Sequence, residues 1–192
     1  VMADYSRFEF HLVTQRLQTF CSEDLGGFYL DVLKDRLYTC GRDSAARRSA
    51  QSALHHITQI LLRLMAPILS FTAEEAWEVL NPGREESVFF HTWDGVLPPQ
   101  AGEEALMVKW ARLREIRALV QKSLEELRQG GGIGSSLQAE VSLAAPEGDR
   151  ALLESLGDDL RFVLITSTAS VEPGSSLAVR VTPSPHAKCD RC

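Results

Sequence analysis

The sequence predicts a mainly α-helical protein: an antiparallel helical bundle followed by a small α+β subdomain. Three observations predict it. Apolar residues recur at spacings of three and four through most of residues 5–129. A glycine- and serine-rich stretch, Gly130-Gly131-Gly132-Ile133-Gly134-Ser135-Ser136, then breaks the pattern. Beyond it the spacing changes to alternation, with Ala139, Val141 and Leu143 set against Glu140 and Ser142. The expected organisation is a helical bundle over 1–130, an α+β subdomain over 137–183, and a short tail over 184–192.

The first expected helix covers about 5–21, with Phe10, Val13, Leu17 and Phe20 on one face and Asp4 placed to cap its start. A second covers about 25–38. It is apolar nearly all round, through Phe28, Tyr29, Leu30, Val32, Leu33 and Leu37, which implies burial between neighbours, and Gly41 follows it. A third starts after Asp43 or Ser44 and runs to about Met65. Its core face is Ala46, Ala50, Ala53, Ile57, Ile60, Leu61 and Leu64, and Pro67 interrupts it. Thr72-Ala73-Glu74-Glu75 has the spacing of a capping box for a short helix that ends at Asn81-Pro82-Gly83. A connector over about 84–100 leads to a long helix over about 103–129. Leu106, Trp110, Leu113, Ile116, Val120, Leu124 and Leu127 form its apolar face, which is expected to pack on the bundle. After the glycine hinge come a strand near 139–143, a helix near 149–156, a buried strand at Phe162-Val163-Leu164-Ile165 and an alternating strand at Leu177, Val179 and Val181.

Bulk properties fit a globular protein, with 44 % hydrophobic and 24 % charged residues among 192. The net charge of −6 argues against a nucleic-acid binder, because phosphate contacts need Lys and Arg, so the case for any such role must rest on local charge. Cys21 and Cys40 sit in helical, apolar contexts, and the four cysteines form no disulfide framework, which points to a reducing, cytoplasmic compartment. No apolar run reaches membrane-spanning length. The opening residues, Val1-Met2-Ala3-Asp4-Tyr5, read as the middle of a longer chain.

Local charge is concentrated between Arg36 and Arg63, where Arg36, Arg42, Arg47, Arg48 and Arg63 face a single acid, Asp43. Arg47, Gln51, His55, Gln59 and Arg63 follow at four-residue steps and form a ridge on the third helix. Arginine and glutamine on a ridge can bond phosphates, ribose hydroxyls and base edges; the same spacing also suits a solvated face. On the second helix, Lys34 and Arg36 lie beside Asp31 and Asp35, as in local ion pairing. The long helix is mostly basic from Lys109 to Lys122, which suits a phosphate-facing stripe or a mixed solvated surface. Cys189-Asp190-Arg191-Cys192 places two thiols at the spacing of half a tetrahedral zinc site. His11, His55, His56, His91 and His186 show no metal-ligand spacing, and no nucleophile elbow, Walker loop or dinucleotide fingerprint is present.

Four strings, in order, resemble the C-terminal region of bacterial isoleucyl-tRNA synthetases. They are Phe28-Tyr29-Leu30-Asp31 with Lys34-Asp35-Arg36-Leu37-Tyr38; Ala46-Arg47-Arg48-Ser49-Ala50-Gln51; Met65 to Trp77 (MAPILSFTAEEAW); and Leu160 to Ser167 (LRFVLITS). The terminal C-x-R-C is similar to the start of that family's four-cysteine zinc ribbon. The resemblance covers essentially the whole chain. It implies a class I synthetase anticodon-binding bundle that grips the anticodon arm of an isoleucine-specific tRNA, then a small α/β unit and a zinc ribbon. The parent enzyme it implies is an ATP- and magnesium-dependent isoleucine–tRNA ligase, whose nucleotide-fold signatures and editing domain lie outside this sequence. No catalytic residue is therefore expected here, and no cofactor. Arg47 and Arg48 are the foremost expected phosphate contacts, with Lys34, Arg36, Arg42, Gln51 and Arg63 behind them. Cys189 and Cys192 are the expected half zinc site, which binds metal poorly alone. The expected partner is tRNA rather than DNA or a membrane, and the expected state is a monomer. Two departures from the family pattern stand at 129–139: no lysine precedes the Ile133-Gly134-Ser135 turn, and Gln138 occupies an acidic position.

Two other readings compete. One is a non-catalytic helical scaffold for protein interaction, which salt-dependent tRNA binding would exclude. The other is a redox protein built on C-x-x-C, which thiol reactivity would reveal.

Overall fold

The helical periodicity of the first hundred residues resolves, in a computed structural model, into five α-helices among the described residues, which are 1–83, 86–93 and 100–187. The chain separates into two compact units, Val1–Gln100 and Ala101–Cys192.

In the first unit, α1 (Met2–Ser6) ends at Phe8, which takes a left-handed φ of 59°. The amide of Glu9 donates to the carbonyl of Asp4 and that of Phe8 to Tyr5, the paired bonds of a Schellman stop. Asp4 does not cap a helix as expected. Its buried carboxylate accepts from Arg16 Nε at 2.8 Å and Arg7 Nη2 at 2.8 Å, tying α1 to α2 (Phe10–Thr19).

The chain stays helical where a break was expected. Phe20–Leu30 continues as a π-helical segment into α3 (Asp31–Tyr38). Wider turns bring the carbonyls of Cys21 and Ser22 close under Gly26 and Gly27, at 3.1 and 3.3 Å from where a Cβ would stand. The all-round burial expected of this stretch is also corrected: on α3 only Leu33 is buried.

Ser44 caps α4 (Ala45–Met65), its hydroxyl accepting from the Arg47 amide at 3.3 Å. The helix starting after Ser44 is thus as expected. The capping box at Thr72 is not. α5 (Ser70–Leu80) begins two residues earlier, and Thr72 is exposed inside it. Glu74 caps something else: its Oε2 accepts from Ser87 Oγ at 2.8 Å and the Val88 amide at 3.1 Å, holding a 3₁₀ turn at Val88–Phe90. Leu62, Ala66, Ala73, Trp77 and Val88 form the core between α4, α5 and that turn.

In the second unit, α6 (Glu103–Gln129) packs its apolar face against a three-stranded sheet. The strands are β1 (Ala139–Ala145), β2 (Thr168–Pro173) and β3 (Ala178–Pro183), in the order β2-β1-β3. β1 runs parallel to β2 and antiparallel to β3, with Val141 opposite Ala169 and Val181. Ala139, Val141, Leu143 and Ala145 share a core with Leu113, Ile116, Val120 and Leu124 of α6 and Leu153 of α7 (Glu147–Glu154). The face of α6 expected to meet the first bundle therefore serves this core.

The expected hinge at 130–136 is a helix stop within this unit. Gly132 N donates to Leu127 O and Gly131 N to Arg128 O, with Gly131 at φ 76°. Ile133 is buried in the same core, so the segment is anchored at both ends. The strand expected at 162–165 is corrected to a helix, α8 (Leu160–Leu164), whose Leu160, Val163 and Leu164 are buried at helical spacing. The strand that pairs with β1 follows it, at Thr168–Pro173. No helix among the described residues is long and apolar enough to cross a membrane.

Candidate nucleic-acid interface

The site is built on α4 and the α3–α4 corner. From Ser44 to Ala73 the chain has no acidic residue and three arginines, so the surface of α4 is locally cationic within an acidic protein.

The expected ridge from Arg47 to Arg63 does not lie on one face. Steps of four residues overrun a 3.6-residue turn, so sixteen residues carry the row roughly 160° around the helix. Gln51 and His55 are exposed, whereas Gln59 is buried and Arg63 half-buried. Gln59 Nε2 donates to Asn81 Oδ1 at 3.0 Å, and Asn81 Nδ2 donates to the Trp77 carbonyl at 3.1 Å. Arg63 Nη1 donates to the Thr92 carbonyl at 2.9 Å, and its guanidinium lies 5.4 Å from the Trp77 ring centre. Trp77 Nε1 donates to Glu86 O and Trp93 Nε1 to Arg63 O, both at 3.0 Å. The lower half of the row thus fastens the Glu86–Trp93 segment to α4 and α5.

The upper half faces outward. Arg48, Gln51, Ser52, His55 and His56 line a shallow groove. Arg48 and Gln51 are exposed, and the two imidazoles meet edge to face at 5.8 Å. Arg47 behaves differently from its neighbour. It is half-buried, its Nη1 reaches the Cys40 carbonyl at 3.4 Å, and its Nε is buried with no hydrogen-bond partner among the described residues. Arg47 therefore ties the start of α4 to the end of α3.

Around that corner, Arg42 is exposed, and among the described residues neither it nor Arg48 has an ion-pair partner. Lys34 is exposed and pairs with Asp31. That hydrogen bond raises the lysine pKa, so the ammonium is firmly charged. Arg36 is half-buried and interacts within the fold. Burial pushes the Tyr29 hydroxyl pKa up, and the charge of Arg36 opposes that rise. Of the seven expected contact residues, Lys34, Arg42, Arg48 and Gln51 face solvent, while Arg36, Arg47 and Arg63 are partly turned inward.

The basic stretch of α6 is largely spent inside its own unit. Arg112 grips Asp149 with two bonds, Nε to Oδ1 at 2.9 Å and Nη2 to Oδ2 at 2.6 Å. Arg117 is buried, its Nε donating to the Val163 carbonyl at 2.9 Å. Arg128 pairs with Glu125, and Lys122 stays exposed. Gln138 fills the acidic position of its turn with an amide oxygen, which accepts from the Gly134 amide at 2.6 Å and the Ser135 amide at 3.3 Å.

The expected half zinc site, Cys189 and Cys192, lies outside the described residues. Among the described residues no cluster of three His, Cys, Asp or Glu could hold a metal ion.

A family profile described as the anticodon-binding domain of tRNA ligase matches residues 1–143. An isoleucine–tRNA ligase of Bordetella petrii is 61 % identical over 200 residues, covering 100 % of this chain and 21 % of that protein. One of Thiobacillus denitrificans is 61 % identical over 188 residues, 98 % of this chain and 20 % of that protein. One of Ralstonia pickettii is 58 % identical over 197 residues, 100 % of this chain and 20 % of that protein. The chain spans about a fifth of the length of these curated relatives.

Proposed function

The chain belongs to the family of anticodon-binding domains of tRNA ligases, and from that membership we propose that it grips the anticodon arm of an isoleucine-specific tRNA. The observation that carries this reading is the outward half of α4, an acid-free helix face with Arg48, Gln51, Ser52 and His55 along one groove. Arg48 and Arg42, with no ion-pair partner among the described residues, supply guanidinium groups that can take phosphate oxygens two at a time. Gln51 and Ser52 offer neutral donors and acceptors for ribose hydroxyls or base edges. Arg47 and Arg63 act from behind, the first setting the α3–α4 corner and the second bracing α4 against Trp77 and Trp93.

The ligase activity named for the relatives belongs, in this reading, to the part of the protein outside this chain. ATP and magnesium would be bound there. The contribution of the present residues is positional: holding one end of the tRNA fixes where its other end reacts. Cys189 and Cys192 offer two of the four thiolates that a closed structural zinc site takes. A zinc role for them would need ligands beyond this pair. The protein is expected to work in the cytoplasm as a monomer.

The test is binding of this chain to an isoleucine tRNA transcript and to an anticodon-swapped version, each at two salt concentrations. Binding that weakens both with salt and with the swap supports an anticodon-reading module. Salt-sensitive binding blind to the swap confines this chain to the backbone of the arm. No binding at low salt overturns the reading for this chain and favours a protein-interaction scaffold.

A further inference from the structure

Tyr38 closes α3 and is 79 % exposed, and it makes no ring contact among the described residues. Tyrosine is enriched at binding surfaces, where its ring meets a partner while its hydroxyl stays wet. Its surroundings say which kind. Lys34, exposed and paired with Asp31, stands one turn earlier on the same helix face. Arg42 follows in the corner, and the bond from Arg47 to the Cys40 carbonyl brings in the start of α4 with Arg48. From 34 to 48 the chain carries five cations and two acids. The exposed rings of Phe71 and Phe90, by contrast, have no lysine or arginine within four residues.

An open aromatic face flanked by cations is the arrangement that takes a nucleobase, with the ring stacking on the base and the cations holding the phosphates on either side. A paired base inside a stem has both faces covered by its neighbours, so only an unpaired or terminal base can use such a platform. We propose that Tyr38 is a stacking platform for an unpaired RNA base, flanked by Lys34, Arg42 and Arg48 as phosphate clamps. The proposal rests on the tRNA-binding reading above and names a residue that the ridge on α4 does not include. It assigns two separate roles. Tyr38 contributes affinity that does not depend on salt, and the cations contribute affinity that does.

The experiment compares Tyr38→Ala, Tyr38→Phe and Arg48→Ala with the unaltered chain, titrated against an isoleucine tRNA transcript over a range of salt. Circular dichroism melts serve as the folding control, since an exposed ring should leave stability unchanged. Tyr38→Ala is expected to bind about tenfold more weakly with the same salt slope, and Tyr38→Phe within about twofold of the unaltered chain. Arg48→Ala is expected to reduce the slope by about one. The same transcript carrying 2-aminopurine in the loop should lose fluorescence on binding the unaltered chain and keep it with Tyr38→Ala. Full affinity in Tyr38→Ala while the unaltered chain binds overturns this proposal alone. So does an equal loss in Tyr38→Phe, which would assign the effect to the hydroxyl. No binding by the unaltered chain at low salt overturns the tRNA-binding reading, and this proposal with it.

Discussion

At Gly131 the backbone takes φ 76°, and a Cβ built there meets nothing within 4 Å. Substitution at this position therefore isolates backbone strain from crowding. Gly131→Ala should destabilise the protein by about 1 kcal/mol, because an alanine must adopt the left-handed conformation that glycine reaches freely. A thermal melt checks this, and an unchanged midpoint would mean that the stop at 127–132 relaxes without cost. The same backbone motif recurs at Phe8 and Ile165. Both have φ 59°, and Thr166 N donates to Arg161 O as Glu9 N does to Asp4 O. Only one of the three stops has glycine at the left-handed position, so only that one carries a signal in the sequence. There the glycines were legible but suggested a hinge, because composition does not distinguish a capped helix end from a linker. Gln138 is a similar case. Replacing a carboxylate by an amide looks like loss of a contact, yet an amide oxygen accepts from Gly134 and Ser135 equally well.

At the level of elements, what was legible was periodicity and what was not was direction. The apolar face of α6 was evident, but a helix face does not name its partner, and the sheet took it. Phe162 to Ile165 is apolar throughout, and four such residues fit a buried strand or one turn of buried helix alike. β2 was missed because Ala169 and Val171 alone carry its alternation, too little to stand out from a loop. The Arg47–Arg63 row was legible as a row, but its winding around α4 separates an outward-facing candidate site from an inward clamp. That clamp centres on Trp77, which is 1 % exposed and touches Arg63, His91 and the Glu86 carbonyl. Trp77→Ala should cost roughly 3–5 kcal/mol, read by denaturant unfolding, with the Glu86–Trp93 amides losing hydrogen-exchange protection first. A loss under about 1 kcal/mol would show that the clamp is dispensable. Between α6 and α7 the Arg112–Asp149 fork makes a separate prediction. The hydrogen bond from Arg112 holds the Asp149 carboxyl below the ordinary carboxylate range, against burial. A depressed carboxylate pKa stabilises the fold above the unfolded value of about 3.9, and that stability is lost as pH falls through the folded pKa. Asp149→Asn should thus lower stability at pH 7 and narrow the gap between variant and unaltered chain below about pH 4. A gap that stays constant with pH would mean the pair contributes packing rather than charge.

For the whole molecule the central tension is a net charge of −6 in a protein read as an RNA binder. The structure relieves it by distribution. Arg112, Arg117 and Arg128 are committed within the second unit, and Arg36, Arg47 and Arg63 are partly turned into the first. The cations of the α3–α4 corner left to face solvent are Lys34, Arg42 and Arg48. Each phosphate neutralised releases condensed counterions and contributes roughly 0.7–0.9 to the slope of log affinity against log salt. Three such contacts predict a slope of about −2 to −3 for the proposed binding of this chain to an isoleucine tRNA transcript. Such a shallow slope also fits the acidic balance, since a molecule repelled at long range must rely on a few close contacts and on groups indifferent to salt. Titration between low and physiological salt measures it directly. A slope steeper than about −5 would require more cations to reach phosphates, whether the inward arginines or exposed residues of the second unit such as Lys122, Arg161 and Arg180. A slope near zero, with binding intact, would shift the recognition from the cations to stacking and hydrogen bonds alone.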